Sequence, residues 1–262
     1  MAHANDIINR LESLRDEAQA LHLMRFFKTG PGQYGEGDRF LGIKVPVTRA
    51  VVKAERDFPL DEVPALLASE WHEVRLAGFL LLVAAHGRLS KPRLLCDPEA
   101  TRARDRIVRL YLDHAHRANN WDLVDLSAPG ITGAWILQPT FLGGDTAAPQ
   151  PHTAYKLQVL DRLATTDCLW LQRIAMVSTI TPTRHGDPDY CLRYAEALLH
   201  HRHDLMHKAV GWMLREMGKH VGMDTLRAFL DRHAATMPRT TLRYAIEHMD
   251  ADERRHYMNL RP

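Results

Sequence analysis

Along almost the whole chain, apolar residues return every third or fourth position, the spacing that lines one face of an α-helix. Ile7, Ile8, Leu11, Leu14 and Ala18 open the series, and similar patterns run through 61–86, 102–113, 155–164, 168–180, 189–200, 205–220, 224–234 and 239–248. The apolar–polar alternation that a half-buried strand needs is missing. Pro46, Pro59, Pro92, Pro98, Pro182, Pro188 and Pro238 stand near the ends of these segments, where a fixed φ and a missing N–H do least harm. The pattern predicts an all-α fold.

Four of the helical segments share a register: Arg75-Leu-Ala77, Arg173-Ile-Ala175, His207-Lys-Ala209 and Arg243-Tyr-Ala245. Each is a basic or titratable residue, one spacer, then alanine. The last three alanines are 34 and 36 residues apart, within the range of HEAT-like and other helix-pair repeats. Amphipathic helices could share an alanine by chance, because alanine is a favoured helix residue, but the basic position recurs with it. Stacked helix pairs form a curved solenoid, and basic side chains repeated on its concave face would track an extended anion such as a nucleic-acid backbone. A single helical-repeat domain over 1–262 is expected, with residues 1–45 supplying capping helices and a glycine-rich loop.

Gly30, Gly32 and Gly35 in that loop satisfy G-x-G-x-x-G formally. No strand precedes them and no βαβ unit follows, so the dinucleotide-binding reading fails its own context. The break at 142–151, rich in Gly and Pro, reads as an inter-helix linker.

Composition changes this picture little. With 262 residues, 45% apolar and 25% charged, the chain is an ordinary globular one with room for a sizeable core. Thirty-four basic and 32 acidic residues leave a formal charge of only +2, so a polyanion must be held by local arrangement. Cys96, Cys168 and Cys191 are odd in number and form no CxxC pair, which argues against disulfides and structural zinc and for a cytoplasmic setting. No basic leader precedes an apolar run, and no apolar stretch is long enough to span a bilayer.

The candidate chemistry centres on Trp121 and Asp125. At i and i+4 of a helix, an indole and a carboxylate open onto the same space, an arrangement suited to a cationic guest. An aromatic face attracts a cation by about 0.5–2 kcal/mol. A carboxylate about 4 Å away contributes roughly 4 kcal/mol at an effective dielectric near 20. An ordinary core anchor for Trp121, and a helix cap or ion pair for Asp125, are the structural alternatives.

Trp212 has Gly211 beside it and Arg215 three residues on, whereas Trp71, Trp135 and Trp170 read as core. His203 and His207 have the i,i+4 spacing of a metal pair but lack the intervening glutamate of H-E-x-x-H and a third ligand, so no metal is expected. The basic run from Arg88 to Arg109 is diluted by Asp97, Glu99 and Asp105 and reads as a solvated face. Nucleophilic catalysis is disfavoured, since no G-x-S-x-G or supported cysteine is present.

Taken in order, Phe40-Leu-Gly-Ile-Lys-Val-Pro46, Trp121-x-x-x-Asp125, Trp170-Leu-Gln-Arg173-Ile-Ala175 and Lys208-Ala-Val-Gly-Trp212-Met-Leu-Arg215-Glu216 resemble the AlkD-like DNA alkylation repair proteins, HEAT-like-repeat DNA glycosylases. The resemblance implies a right-handed α-superhelix holding duplex DNA in a concave basic groove and releasing N3- or N7-alkylated purines, with the lesion left stacked. It implies Asp125 as the catalytic carboxylate, Trp121 and Trp212 flanking the deoxyribose, and Arg173 and Arg215 meeting backbone phosphates. No cofactor is implied, and a monomer associated with a bacterial nucleoid is expected. Some relatives bind branched or damaged DNA without cleaving it, which is the alternative function. The 142–151 segment departs from the family pattern.

Overall fold

The computed structural model describes residues 3–55, 57–144 and 146–261. Among them the chain is all-helical, with two isolated bridges, Arg39 to Trp71 and Thr140 to Gln150, and no strand. It divides into two compact units, Met1–Ile131 with Pro139–Gln150, and Thr132–Gln138 with Pro151–Pro262.

The first unit contains α1 (Ala4–Glu12), α2 (Glu17–Phe26), α3 (Val45–Ala54), α4 (Val63–Leu67), α5 (His72–Leu89), α6 (Pro98–Asp113) and α7 (Trp121–Ser127). Its centre is α5, which α3, α4, α6 and α7 all contact. Every residue from His72 to Leu82 is buried, so the first three turns of this helix have no solvent face, and the charged side chains there must find partners inside the protein.

The continuous helix expected over 61–86 is in fact two, separated at Ala68–Trp71. The break is stabilised by guanidinium groups. Arg75 donates to the carbonyls of Ser69 and Glu70, and Arg117 to those of Leu67, Ala68 and Ser69. Carbonyls at a helix end have no intrahelical partner, and these two arginines satisfy them. Trp71, expected in the core, is the half-buried N-cap of α5, with Arg39 4.4 Å and Arg15 5.3 Å from its ring.

The 142–151 segment is more than a linker. Thr140 and Gln150 exchange backbone hydrogen bonds of 2.8 and 2.9 Å, and Asp105 on α6 accepts from the Thr140 hydroxyl and the Phe141 amide. Asp145, within that segment, lies outside the described residues. Arg104, expected on a solvated face, is buried and donates to the carbonyls of Leu89, Leu94 and Leu95.

The second unit contains α8 (Thr132–Leu137), α9 (Thr153–Ala164), α10 (Leu169–Ser178), α11 (Ile180–Arg184), α12 (Asp189–Leu198), α13 (Asp204–His220), α14 (Met223–His233), α15 (Arg239–Ala245) and α16 (Ala251–Asn259). Ala175, Ala209 and Ala245 are buried in it, as Ala77 is in the first unit, so the recurrent alanine marks close helix packing. Trp135 and Trp170 are core residues as expected. The ammonium of buried Lys156 donates to the carbonyls of Ile136 and Gln138, capping the end of α8. No helix among the described residues is long and apolar enough to cross a membrane.

Candidate active site

Trp121 and Asp125 do share one helix, the short α7 of the first unit. Its start is fixed by Asn120, whose extended backbone (φ −153°, ψ 159°) and side-chain oxygen, accepting from the Trp121 amide at 2.9 Å, make it the N-cap. Asn120 is fully buried and also donates to Asp38 at 3.4 Å. Trp121 is therefore held at the first helical position, with Asp125 one turn further on. Both are half-buried and line the same cavity.

The indole is the outer member of a column of rings. Trp121 stacks on Phe27 at 5.3 Å, Phe27 on Phe40 at 5.0 Å, and Phe40 on the His72 imidazole at 4.3 Å. Phe26 stands edge-on to Trp121 at 6.1 Å. These rings come from the end of α2, the loop before α3, the start of α5 and the start of α7.

Beneath the column, His72 joins two carboxylates. Its Nδ1 is 2.7 Å from Asp38 and its Nε2 2.9 Å from Asp122, all three side chains being buried. With both ring nitrogens facing carboxylate oxygens, the ring must donate twice and is an imidazolium. Burial opposes that charge, but Asp122 and Asp38 together outweigh it and raise the His72 pKa to about 9. Burial likewise pushes the Asp38 pKa up, yet His72 and the ion-paired Arg75 hold it below the usual carboxylate value. Two cations thus neutralise two anions under the rings.

Glu73, next in sequence and 1% exposed, fixes the Phe40 loop. Its carboxylate accepts from the amides of Leu41, Gly42 and Ile43 at 2.9, 2.9 and 3.0 Å. Gly42 is obligatory here: its φ is +90°, and a Cβ would run into the carbonyl of Asp16. The motif Phe40-Leu-Gly-Ile-Lys-Val-Pro46 is therefore a ring-presenting loop held by one buried carboxylate.

These elements enclose a cavity of about 450 Å³. Its deep wall is Phe27, Phe40, Ile43, His72 and Asp122, and its outer residues include Phe26, 56% exposed, Lys44, Pro46 and Asp125. Apolar rings with the Asp125 carboxylate at the rim favour a flat cationic guest at the mouth, whereas the Asp122 charge at the floor is already matched by the His72 imidazolium.

The remaining predicted site residues belong to the second unit. Trp212 and Arg215 are half-buried on α13, where Gly211 lets α15 approach until a Cβ would lie 2.5 Å from Tyr244. Arg215 pairs with Glu247. Arg173, expected on a phosphate, is 4% exposed and donates to the Leu205 carbonyl at 2.6 Å, which ties α10 to α13. The recurrent basic position is thus an internal carbonyl donor at both Arg75 and Arg173. His203 caps α13 by accepting from the Leu205 amide, and His207 bonds to the His201 carbonyl. Among the described residues no group of three or more His, Cys, Asp or Glu could hold a metal ion.

The family model that matches is described as DNA alkylation repair enzyme and covers residues 7–249. A solved structure described as a predicted DNA alkylation repair enzyme from Enterococcus faecalis is similar in fold, with a TM-score of 0.61 over 90% of this chain and 97% of that one, at 15% identity. No curated protein matches the chain in sequence.

Proposed function

The chain belongs to the family of DNA alkylation repair enzymes, and from that premise we propose that it is a DNA glycosylase acting on N3- and N7-alkylated purines in duplex DNA. The observation that carries this reading is the pairing of Asp125 and Trp121 at the outer part of a ring-lined cavity.

Alkylation at N3 or N7 puts a positive charge on the purine. When the C1′–N bond breaks, its electron pair goes to the base, which leaves neutral, and C1′ becomes an oxocarbenium-like cation. The Asp125 carboxylate stabilises that cation and orients a water, whose oxygen bonds to C1′ as its proton passes to the carboxylate or solvent. An attraction of roughly 4 kcal/mol at an effective dielectric near 20 corresponds to about a thousandfold in rate. The positive charge that weakens the bond is on the substrate, so the step needs no cofactor. In the second unit, Trp212 and Arg215 are assigned to DNA contact.

Asp125→Asn keeps the fold and the affinity for DNA and loses most base release. Unchanged release of 7-methylguanine from methylated duplex by this variant would remove Asp125 from the mechanism. A protein that binds alkylated or branched duplex with no release by the wild type is instead a silent DNA-binding relative.

A further inference from the structure

Beyond the Asp125 cavity a groove continues between α3 and α5. Val45 and Pro46 line the cavity, and Arg49, one turn further along α3, lines the groove; Leu76 and Leu80 stand in the same relation on α5. The groove has a volume of about 670 Å³, against about 450 Å³ for the cavity. Val52, Leu80 and Val83 form its floor, and Arg49, Lys53 and Arg88 its cationic lining. The turn after α7 closes against that floor, where a Cβ on Gly130 would lie 3.0 Å from Val83.

No acidic residue lines this groove. Several exposed arginines elsewhere are ion-paired, as Arg39 is with Glu70, Arg193 with Asp161 and Arg255 with Asp252. Among the described residues, neither an ion pair nor a hydrogen bond engages the side chain of Arg49, Lys53 or Arg88. Arg49 and Lys53 are exposed and Arg88 is half-buried, so all three can reach a ligand from solvent. In a chain whose formal charge is only +2, three uncompensated cations around one apolar floor make a local field for an anion.

Resting on the glycosylase reading, we propose that this groove holds the sugar-phosphate backbone of the lesion strand to one side of the damaged nucleotide, with Arg49, Lys53 and Arg88 on its phosphates. The ligand matches the lining. A phosphodiester chain alternates anionic phosphates with largely apolar deoxyriboses, and the groove sets cations beside an apolar floor. Val45, at the Asp125 cavity, and Lys53 are eight residues apart, about 12 Å along α3 at about 1.5 Å per residue. One strand of a duplex advances about 3.4 Å per nucleotide, so the cations reach phosphates up to about three or four nucleotides from the sugar at Asp125. Such contacts fix register and carry no sequence information, so they place C1′ beside Asp125 whichever bases flank the lesion. They also supply phosphate donors that Arg173, committed to the Leu205 carbonyl, does not. The grip acts on the backbone and leaves the lesion in the stack.

The test uses the full chain and a duplex carrying one 2′-fluoro-7-methylguanine, whose glycosidic bond resists cleavage, with affinity measured from about 50 to about 200 mM salt. At about 0.9 per phosphate contact, Arg49→Ala with Lys53→Ala is expected to lower the slope of log K against log salt by about 1.8, and the further change Arg88→Gln by about 2.7 in all. Over that range the triple variant then loses about fortyfold less affinity than the wild type. Arg106→Ala with Arg109→Ala, which removes two exposed charges from α6, is expected to leave the slope unchanged. Should the half-buried Arg88→Gln lose helical circular dichroism, the exposed pair on α3 decides. A wild-type slope in the folded groove variants, or an equal drop in the α6 control, overturns the groove. Neutral methylphosphonates within four nucleotides of the lesion are expected to weaken wild-type binding on one side of the lesion strand and to leave the groove variants unaffected; equal sensitivity of both proteins, or an effect confined to the opposite strand, overturns it as well. Release of 7-methylguanine from ordinary methylated duplex by the wild type is scored separately. Release with unchanged slopes leaves the glycosylase reading standing without the groove, and lowered slopes without release keep the groove and overturn the glycosylase reading.

Discussion

Replacing His72 by Gln removes the cation between Asp38 and Asp122 while keeping a side chain of similar reach. An imidazole held at about 9 against an ordinary value of 6.5 carries roughly 3 kcal/mol of pH-dependent stability, at about 1.4 kcal/mol per pH unit. Below pH 6.5 the ring is protonated in both folded and unfolded chains, so the contribution is fully present. Between 6.5 and about 9 only the folded protein keeps the proton, and stability falls with rising pH. Above about 9 the contribution is gone, and two carboxylates face a neutral ring with Arg75 left to compensate one of them. Urea unfolding of wild type and His72→Gln, from about pH 6 to about pH 10, isolates this group from the other histidines. The difference in unfolding free energy between the two proteins is expected to shrink by roughly 3 kcal/mol across that range. A constant difference would refute the assignment of an imidazolium at this position. Because the same ring supports Phe40 and anchors Asp122 at the base of α7, base release by the wild type should decline as pH rises through about 9, where the folded protein gives up that proton.

Other positions test the scaffold of the site. Glu73→Gln keeps one acceptor oxygen but turns an NH₂ toward backbone amides, and is expected to lower the unfolding free energy by about 1.5–3 kcal/mol; an unchanged urea midpoint would show that the loop holds itself. Gly42→Ala combines a positive φ with a backbone collision, so a loss above about 1 kcal/mol in thermal unfolding is expected, with weaker base release because Phe40 moves. Arg173→Ala and Arg215→Ala should separate cleanly. The first destabilises the fold without altering the salt dependence of DNA binding, since its guanidinium is buried on a carbonyl. The second lowers the slope of log K against log salt by about 0.9, the value for one phosphate contact; the opposite assignment of the two effects would overturn this reading of α10 and α13.

How much of this could be read from the chain differs with the distance over which each feature is built. The helices and the Trp121–Asp125 pairing were legible because they depend on spacing within one segment, and α7 preserves that spacing. The recurrent alanine was legible for the same reason. The recurrent basic residue was visible, but its role was not, because whether a guanidinium meets solvent or a carbonyl depends on which neighbouring helix ends beside it. Arg75 faces the end of α4 and Arg173 the start of α13, so both became internal donors. The break inside 61–86 leaves little mark on the pattern, because Ser69, Glu70 and Trp71 interrupt the apolar spacing only briefly.

The buried charges under the rings left one trace in the sequence that could have been followed. From Leu76 to Ala85 the helix α5 is apolar on all sides, and His72, Glu73 and Arg75 stand at its start with no polar face to share. Three ionisable groups entering a core helix together must be partnered, since an unpaired buried charge is far costlier than any helix preference could offset. Their partners, Asp38, Asp122 and the amides of 41–43, lie 30 to 50 residues away, as the hydrogen bonds show. Those partners belong to the two segments, the glycine-loop motif and the Trp121 helix, that carry the proposed chemistry. The start of α5 is thus where a stability requirement and a functional one coincide: satisfying its charges forces the Phe40 loop and α7 to the same place, and the ring-lined cavity with Asp125 in its wall is the geometric result.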